Sequence, residues 1–324
     1  MSAALRAGDD EAVRVALEGA LSEARGASVE VAELRRRPFA YETSFAIDEL
    51  DAQLDGGERL TLVVKDVGPT GLSAEAAATK PADTLDPDRE IAVYRDLLDG
   101  ERLGTPRFHG AEVDAATGRR WLFLERIEGE VLADVGEVEV WREAAAWAAR
   151  LDRAVEAGSS PLLHRDAAWH GRWIDAAAGA LEDDPLADRL RESRAALVAR
   201  LDSLPRAFVH GELYPANVLV ARGEGATRIA PVDWELAGTG PYPLDLAALV
   251  SGWNDEGREE ICRGFHRVLP ADAPPFEELL ADVELCELAL ALQWIGWAPG
   301  WVPPAAQRRD WRGEASRLLE AVDP

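Results

Sequence analysis

Two neighbouring stretches decide how the chain reads: Phe208-Val-His210-Gly-Glu212-Leu-Tyr214-Pro-Ala-Asn217-Val-Leu-Val220 and Ile229-Ala-Pro-Val-Asp233-Trp-Glu-Leu-Ala237. Each joins an apolar run to polar groups, the pattern of a short buried strand that feeds a chemistry-bearing loop. Gly223-Glu224-Gly225 between them supplies a turn. Strand, loop, strand, turn, strand brings Glu212, Asn217 and Asp233 toward one edge of a small hairpin. Two carboxylates and an amide oxygen are hard donors suited to Mg²⁺, which takes one or two carboxylates and completes its shell with substrate phosphates.

His210-x-Glu212-x4-Asn217 followed by Asp233 resembles the catalytic loop and metal-binding Asp of kinase-like phosphotransferases, the group that includes aminoglycoside phosphotransferases and choline kinases. By that resemblance Asn217 and Asp233 hold Mg²⁺ on the phosphates of ATP, with GTP as the other nucleotide to consider. Glu212 sits where the base orients the acceptor hydroxyl, and His210 is a structural residue of the loop. Most of the family has Asp where this chain has Glu212. The two side chains differ by only about 0.4 in reference pKa, so what changes is one methylene of reach. The implied activity is a small-molecule kinase that moves the γ-phosphoryl group to a hydroxyl of an aminoglycoside, amino alcohol or sugar-like acceptor. The alternative that Glu212 raises is a nucleotide-binding pseudokinase with a regulatory or scaffolding role.

Further matches stand in the expected order. Lys65 lies in the apolar run Leu60-Thr-Leu-Val-Val-Lys65, as the ATP-binding Lys does in kinase-like folds. Glu90 shares a helical face with Tyr94 and Leu97 and is the expected partner of Lys65; the plainer explanation is an acid complementing a helix N-terminus. Leu122-Phe-Leu-Glu125-Arg-Ile127 resembles the hinge whose backbone meets the adenine edge, which makes Glu125 and Ile127 nucleotide-binding candidates. No glycine-rich phosphate loop is present: Phe39-Ala-Tyr-Glu-Thr43-Ser44-Phe45 holds no Gly, so Thr43 and Ser44 are the phosphate-contact candidates. Asp245 reads as a helix cap that braces the catalytic loop. Pro241 and Pro243 follow Asp233 too closely for a protein-kinase activation loop.

The coarse organisation agrees. An amphipathic helix is predicted over Asp10 to Glu23, then strands at Val29 to Leu34, Tyr41 to Leu50 and Arg59 to Val67, with Asp55-Gly56-Gly57 as a hairpin turn. Asp86-Pro87 is expected to start a helix as cap and first residue, and Gly100 to end it. Strands follow at Arg107 to Val113 and Arg120 to Ile127. Beyond Gly129 the pattern is mainly helical, at Glu137 to Ala157, Pro185 to Leu204, Pro243 to Trp253, Gly257 to Val268, Phe276 to Trp297 and Ala306 to Val322. The expected fold is α+β, bilobal and protein-kinase-like. Residues 1–127 form a nucleotide-binding lobe with an antiparallel sheet and one key helix, and residues 128–324 a larger, mainly helical lobe for catalysis and acceptor binding.

Composition narrows the partners. A net charge of −25 over 324 residues repels nucleic acid and anionic lipid and favours a cationic small molecule; an acidic host proteome would give the same balance. Trp169, Trp173, Trp253, Trp294, Trp297 and Trp301 are acceptor-binding candidates, since aromatic faces attract ammonium groups, although aromatics at helical spacing also build cores. Cys262 and Cys286 form no C-x-x-C pair and read as buried small hydrophobes. The first ten residues lack an apolar run behind basic residues, and Leu288 to Trp301 is too short to span a bilayer, so a cytoplasmic protein is expected, monomeric or homodimeric. Only Lys65 and Lys80 are lysines, against 33 arginines, which points to positions that need a compact ammonium.

Overall fold

The computed structural model describes residues 10–40, 44–98, 100–154, 162–223, 226–297 and 309–322. In chain order the elements are α1 (Asp10–Arg25), β1 (Val31–Pro38), β2 (Ala46–Leu54), β3 (Arg59–Asp66), α2 (Ala74–Thr79), α3 (Arg89–Ala92), α4 (Gly100–Leu103), β4 (Phe108–Asp114), β5 (Arg119–Glu125), β6 (Glu130–Val131), α5 (Val138–Ala154), β7 (Leu163–His164), α6 (Ala167–Ala180), α7 (Pro185–Ser203), β8 (Arg206–Val209), β9 (Val218–Arg222), β10 (Thr227–Pro231), β11 (Gly238–Pro241), α8 (Leu244–Val250), α9 (Asp255–His266), α10 (Phe276–Trp297) and α11 (Trp311–Ala321). The chain divides into two compact units. Met1–Gly129, Gly158–Pro161 and Ala221–Glu235 make the first; Glu130–Ala157, Leu162–Val220 and Leu236–Pro324 make the second. The boundary expected at 127/128 put all later residues in one part, whereas 221–235 belongs with the first.

In the first unit five strands form an antiparallel sheet in the order β1-β2-β3-β5-β4. Strand β2 alternates buried and half-buried residues along its length, the period-two signature of a sheet with one face in a core. That core is Leu50, Leu62, Val64, Trp121 and Phe123 from the strands against Val13, Leu17 and Leu21 of α1. Helix α1 comes close to the sheet because Gly110 of β4, at φ +128, has no Cβ; one placed there would lie 2.7 Å from the Ala20 methyl.

The second unit is mainly helical. One core joins Ile174 and Ala177 of α6, Leu190 and Leu197 of α7, Leu285 and Leu292 of α10, and Leu318 of α11. Two short sheets accompany the helices: β11 pairs parallel with β7 and antiparallel with β8, and β6 pairs with β9. Cys262 and Cys286 are both free and buried. Among the described residues no helix is long and apolar enough to cross a membrane.

Two local readings need correction. The helix expected to start at Asp86-Pro87 starts at Arg89 instead; the Asp86 carboxylate accepts the Asp88 N–H at 3.0 Å, an Asx turn ahead of the helix rather than a cap. The helix also does not run straight to Gly100. Residues Val93–Leu97 widen into a π turn, closed by Leu98 N–H to Val93 O at 3.0 Å, and Gly100 opens α4 instead of ending a helix. Helix α6 was not predicted. Its run of Ala and Gly carries little amphipathic signal, and packing against α7 and α10 holds it.

Candidate active site

In the first unit, strand alternation aims Lys65. Leu62 and Val64 of β3 enter the core under α1, so the period of two sends Lys65 to the opposite face. There its Nζ donates to Glu90 Oε2 at 2.6 Å and to Asp233 Oδ1 at 2.5 Å. Burial by itself would lower the Lys65 pKa, but Asp233, Glu90 and Glu235 outweigh it and keep the ammonium fully charged. Burial pushes the Glu90 carboxyl up to about 7, against the pull of Lys65. Glu90 Oε1 also accepts the Trp234 N–H at 3.3 Å, so one carboxylate fixes both the lysine and the backbone beside Asp233. Asp233 adopts φ 68, the one described non-glycine residue in the left-handed region. Such backbone outliers persist where their surroundings over-determine them, and they concentrate at functional sites.

Two residues past Asp233, the Glu235 carboxylate accepts from Lys80 Nζ. Arg89 Nη1 donates to the carbonyl oxygens of Glu235 and Thr84, both at 2.8 Å. The sequence reading singled out Lys80 for its rarity but gave it no partner, and it missed Glu235. Nothing in the spacing of two residues 155 positions apart signals the pair.

The nucleotide-hinge candidates separate. The Glu125 carboxylate is held by Arg228 at 2.7 and 2.8 Å and by the Arg107 N–H at 3.1 Å, and its own N–H donates to Arg107 O at 2.9 Å. It thus ties β5 to β10, and half-buried Ile127 lies past the end of β5. Ser44 is half-buried, and its carbonyl accepts the Ser73 N–H at 2.8 Å. Thr43 and Trp301 lie outside the described residues.

In the second unit the catalytic-loop candidates are built on β8. Fully buried His210 follows the strand, and its backbone N–H and that of Gly211 donate to Asp245 Oδ2 and Oδ1 at 2.7 and 2.9 Å. Asp245 was expected to cap its helix and brace the loop; α8 begins at Leu244 without a side-chain cap, while both Asp245 oxygens do go to the loop. Burial raises the Asp245 pKa, opposed by His210 and the two N–H donors. The Glu212 N–H then donates to His210 Nδ1 at 3.3 Å, and Asn217 Nδ2 to Glu212 O at 3.0 Å. With its NH₂ turned into the loop, Asn217 leaves its amide oxygen as the atom a hard cation would use. In the first unit, Asp233 has a carboxylate one-third exposed. Among the described residues no three His, Cys, Asp or Glu side chains form a metal cage.

The tryptophans fall into three groups. Trp169 and Trp173 are core residues, with Trp297 stacked on Trp173 at 5.4 Å, and Trp253 meets Trp141 edge-on. Trp294 differs: half-buried, it donates from Nε1 to the Tyr214 hydroxyl at 2.5 Å and stacks on half-buried Trp311 at 5.8 Å. Tyr214 stands two residues from Glu212, so these aromatic rings adjoin the loop between β8 and β9.

A family model described as the phosphotransferase enzyme family (APH) matches residues 50–279. Among curated proteins none matches in sequence. Solved structures are similar in fold. A choline/ethanolamine kinase family protein from Mesorhizobium loti is 20% identical, with 90% of this chain and 87% of that one covered at a TM-score of 0.53. For an ethanolamine kinase from Plasmodium vivax the figures are 11%, 90%, 82% and 0.55. For aminoglycoside 2'-phosphotransferase-IIIa in its GDP complex they are 13%, 90%, 93% and 0.53. An antiparallel sheet presenting Lys65 to Glu90 and Asp233, a loop running from His210 to Asn217, and a family match across most of the chain lead to one conclusion: this protein belongs to the phosphotransferase enzyme family and has its kinase-like α+β fold.

Proposed function

We propose that the protein transfers the γ-phosphoryl group of ATP to a hydroxyl of a small, amphipathic acceptor. The observation that carries this reading is the buried Lys65 ammonium bonded to both Glu90 and Asp233. A structural lysine needs one counter-ion; a lysine kept between two carboxylates is a charge poised to meet phosphate oxygens. Asn217 and Asp233 are the residues that hold Mg²⁺, whose contribution when bound is to neutralise phosphate charge. Ser44 and Ile127 serve the nucleotide, at its phosphates and its adenine edge. Glu212 accepts the proton of the acceptor hydroxyl as that oxygen bonds to phosphorus, while the bond to the bridging oxygen breaks and ADP leaves.

The acceptor lies against Trp294 and Trp311, beside the loop that carries Glu212. Half-buried aromatic faces recognise an apolar body or an ammonium group, and the −25 net charge draws cations toward the protein. The similar solved proteins named for choline, ethanolamine and aminoglycoside chemistry make amino alcohols and aminoglycosides the first acceptors to try.

The test is ADP or GDP release from ATP or GTP across an acceptor panel, in wild type, Asp233→Ala, Glu212→Gln and Trp294→Ala. Acceptor-dependent release is expected in wild type and a fall of about a thousandfold or more in Asp233→Ala, because phosphoryl transfer rests on positioning and charge stabilisation. Glu212→Gln should lose less, about a hundredfold. Trp294→Ala should raise KM for the acceptor with little change in kcat. A chain that binds nucleotide yet releases no product with any acceptor would return the reading to a non-transferring nucleotide-binding protein.

A further inference from the structure

Both lysines of the chain, against 33 arginines, fold to one place in the first unit. Lys65 Nζ lies 5.3 Å from the centroid of the Phe45 ring and Lys80 Nζ 5.7 Å from the same centroid. Lys80 is carried there by a fixed element. It ends α2, with its N–H on Ala76 O at 2.8 Å, and α2 begins at Ser73, whose side chain caps the Ala76 N–H. That start is stitched to the entry of β2: Ser73 N–H donates to Ser44 O, Phe45 bridges to Leu72, and Ala46 N–H donates to Gly71 O. The helix bearing Lys80 is therefore docked on the segment that bears Ser44.

The Lys80 ammonium meets the Glu235 carboxylate, with side-chain exposures of 12% and 10%. Glu235 acts electrostatically on Lys65, Glu90 and Lys80 alike, so Lys65, Lys80, Glu90, Asp233 and Glu235 form one set of two cations and three carboxylates. A buried ion pair serving the fold alone is better made by Arg, whose planar fork locks onto a carboxylate bidentately. All 33 other Lys or Arg positions in the chain are Arg. What the compact ammonium adds is three rotatable donors that pass from a carboxylate to a phosphate oxygen without the backbone moving.

We propose that Lys80 is a second phosphate-binding cation of the nucleotide site, held by Glu235 until the polyphosphate enters. This rests on the reading of Lys65 as the nucleotide-binding lysine. The ligand is the di- or triphosphate of a nucleoside, recognised by Lys80 through its phosphates.

The test is calorimetric binding of adenosine, ADP and ATP, and of guanosine, GDP and GTP, in Mg²⁺-free buffer to wild type, Lys80→Met, Lys80→Gln and Lys65→Met, each checked for folding by circular dichroism. In the folded variants at Lys80, affinity for the di- and triphosphates should fall about 10- to 100-fold, the range of a lost charge-assisted hydrogen bond. Nucleoside affinity should stay within about twofold. Phosphate-dependent affinity that is lost in Lys65→Met but kept in the Lys80 variants would overturn the proposal and leave the Lys65 reading standing. Equal losses for nucleoside and triphosphate would reduce Lys80 to a fold residue. Wild type that binds no nucleotide of either base would overturn both readings together.

Discussion

Asp233 shows how much a single residue is asked to do. An L-residue at φ 68 costs roughly 1–2 kcal/mol, less for Asn and Asp, whose short polar side chains tolerate this region. Asp233→Asn keeps that tolerance and removes only the charge, so its unfolding free energy should stay within about 1 kcal/mol of wild type while transfer activity collapses. Asp233→Ala adds backbone strain and should be about 1 kcal/mol less stable than Asp233→Asn; chemical denaturation of the two side by side reads the difference. His170 makes a second case. Burial first, then Arg165, lowers its pKa to about 4, and its Nε2 is buried without a hydrogen-bond partner. A depressed histidine pKa favours folding above its ordinary value of about 6.5 and loses that contribution as pH falls toward 4. The loss integrates to about 3 kcal/mol by pH 4. His170→Phe should flatten the stability profile between pH 6.5 and 4, and an unchanged slope would place the acid sensitivity elsewhere.

Among elements, the loop between β8 and β9 depends on supports placed outside it. Gly211, at φ +89, has no room for a Cβ, which would fall on Arg165 Nη2 and Leu236 O. Gly211→Ala should therefore destabilise the second unit by about 2–4 kcal/mol. Asp245→Ala strands the buried N–H groups of His210 and Gly211, at about 1–3 kcal/mol each. It should also lower kcat more than nucleotide affinity, which a steady-state split between KM and kcat would reveal. The loop could be read from the sequence because its chemistry is chain-local: His210, Glu212 and Asn217 carry their own spacing. Although an acid at a helix start also has a plainer reason to stand there, the pairing of Lys65 with Glu90 was legible too, through the order of a strand lysine and a helix acid that kinase-like folds share. Lys80 and Glu235 were not, because their meeting depends on α2 being sewn to β2 by backbone bonds that no side chain advertises. For Asp245 the bracing of the loop was legible and the helix cap was not borne out, because both its oxygens are taken by the N–H groups of His210 and Gly211. Helix α6 escaped notice because packing against α7 and α10 holds it, not its own periodicity.

At the scale of the whole molecule, the excess of 60 acidic over 35 basic side chains is a self-repulsion that salt relieves. Raising ionic strength from about 0.02 to 0.5 M shortens the screening length several-fold, so the thermal midpoint should climb with added NaCl, and a falling midpoint would mean that the ion pairs outweigh the net charge. The division of the chain has a consequence for how the protein is made. Ala221–Glu235 belongs with Met1–Gly129 and brings Arg228 to Glu125, Asp233 to Lys65 and Glu235 to Lys80. A ribosome synthesises from the N-terminus, yet the first unit is complete only after Glu130–Val220 has also emerged. Until then the nascent sheet holds the Lys65–Glu90 pair without its third partner, and a polypeptide stopped at Gly129 is an unfinished body in which Lys80 and Glu125 lack the partners that Ala221–Glu235 brings.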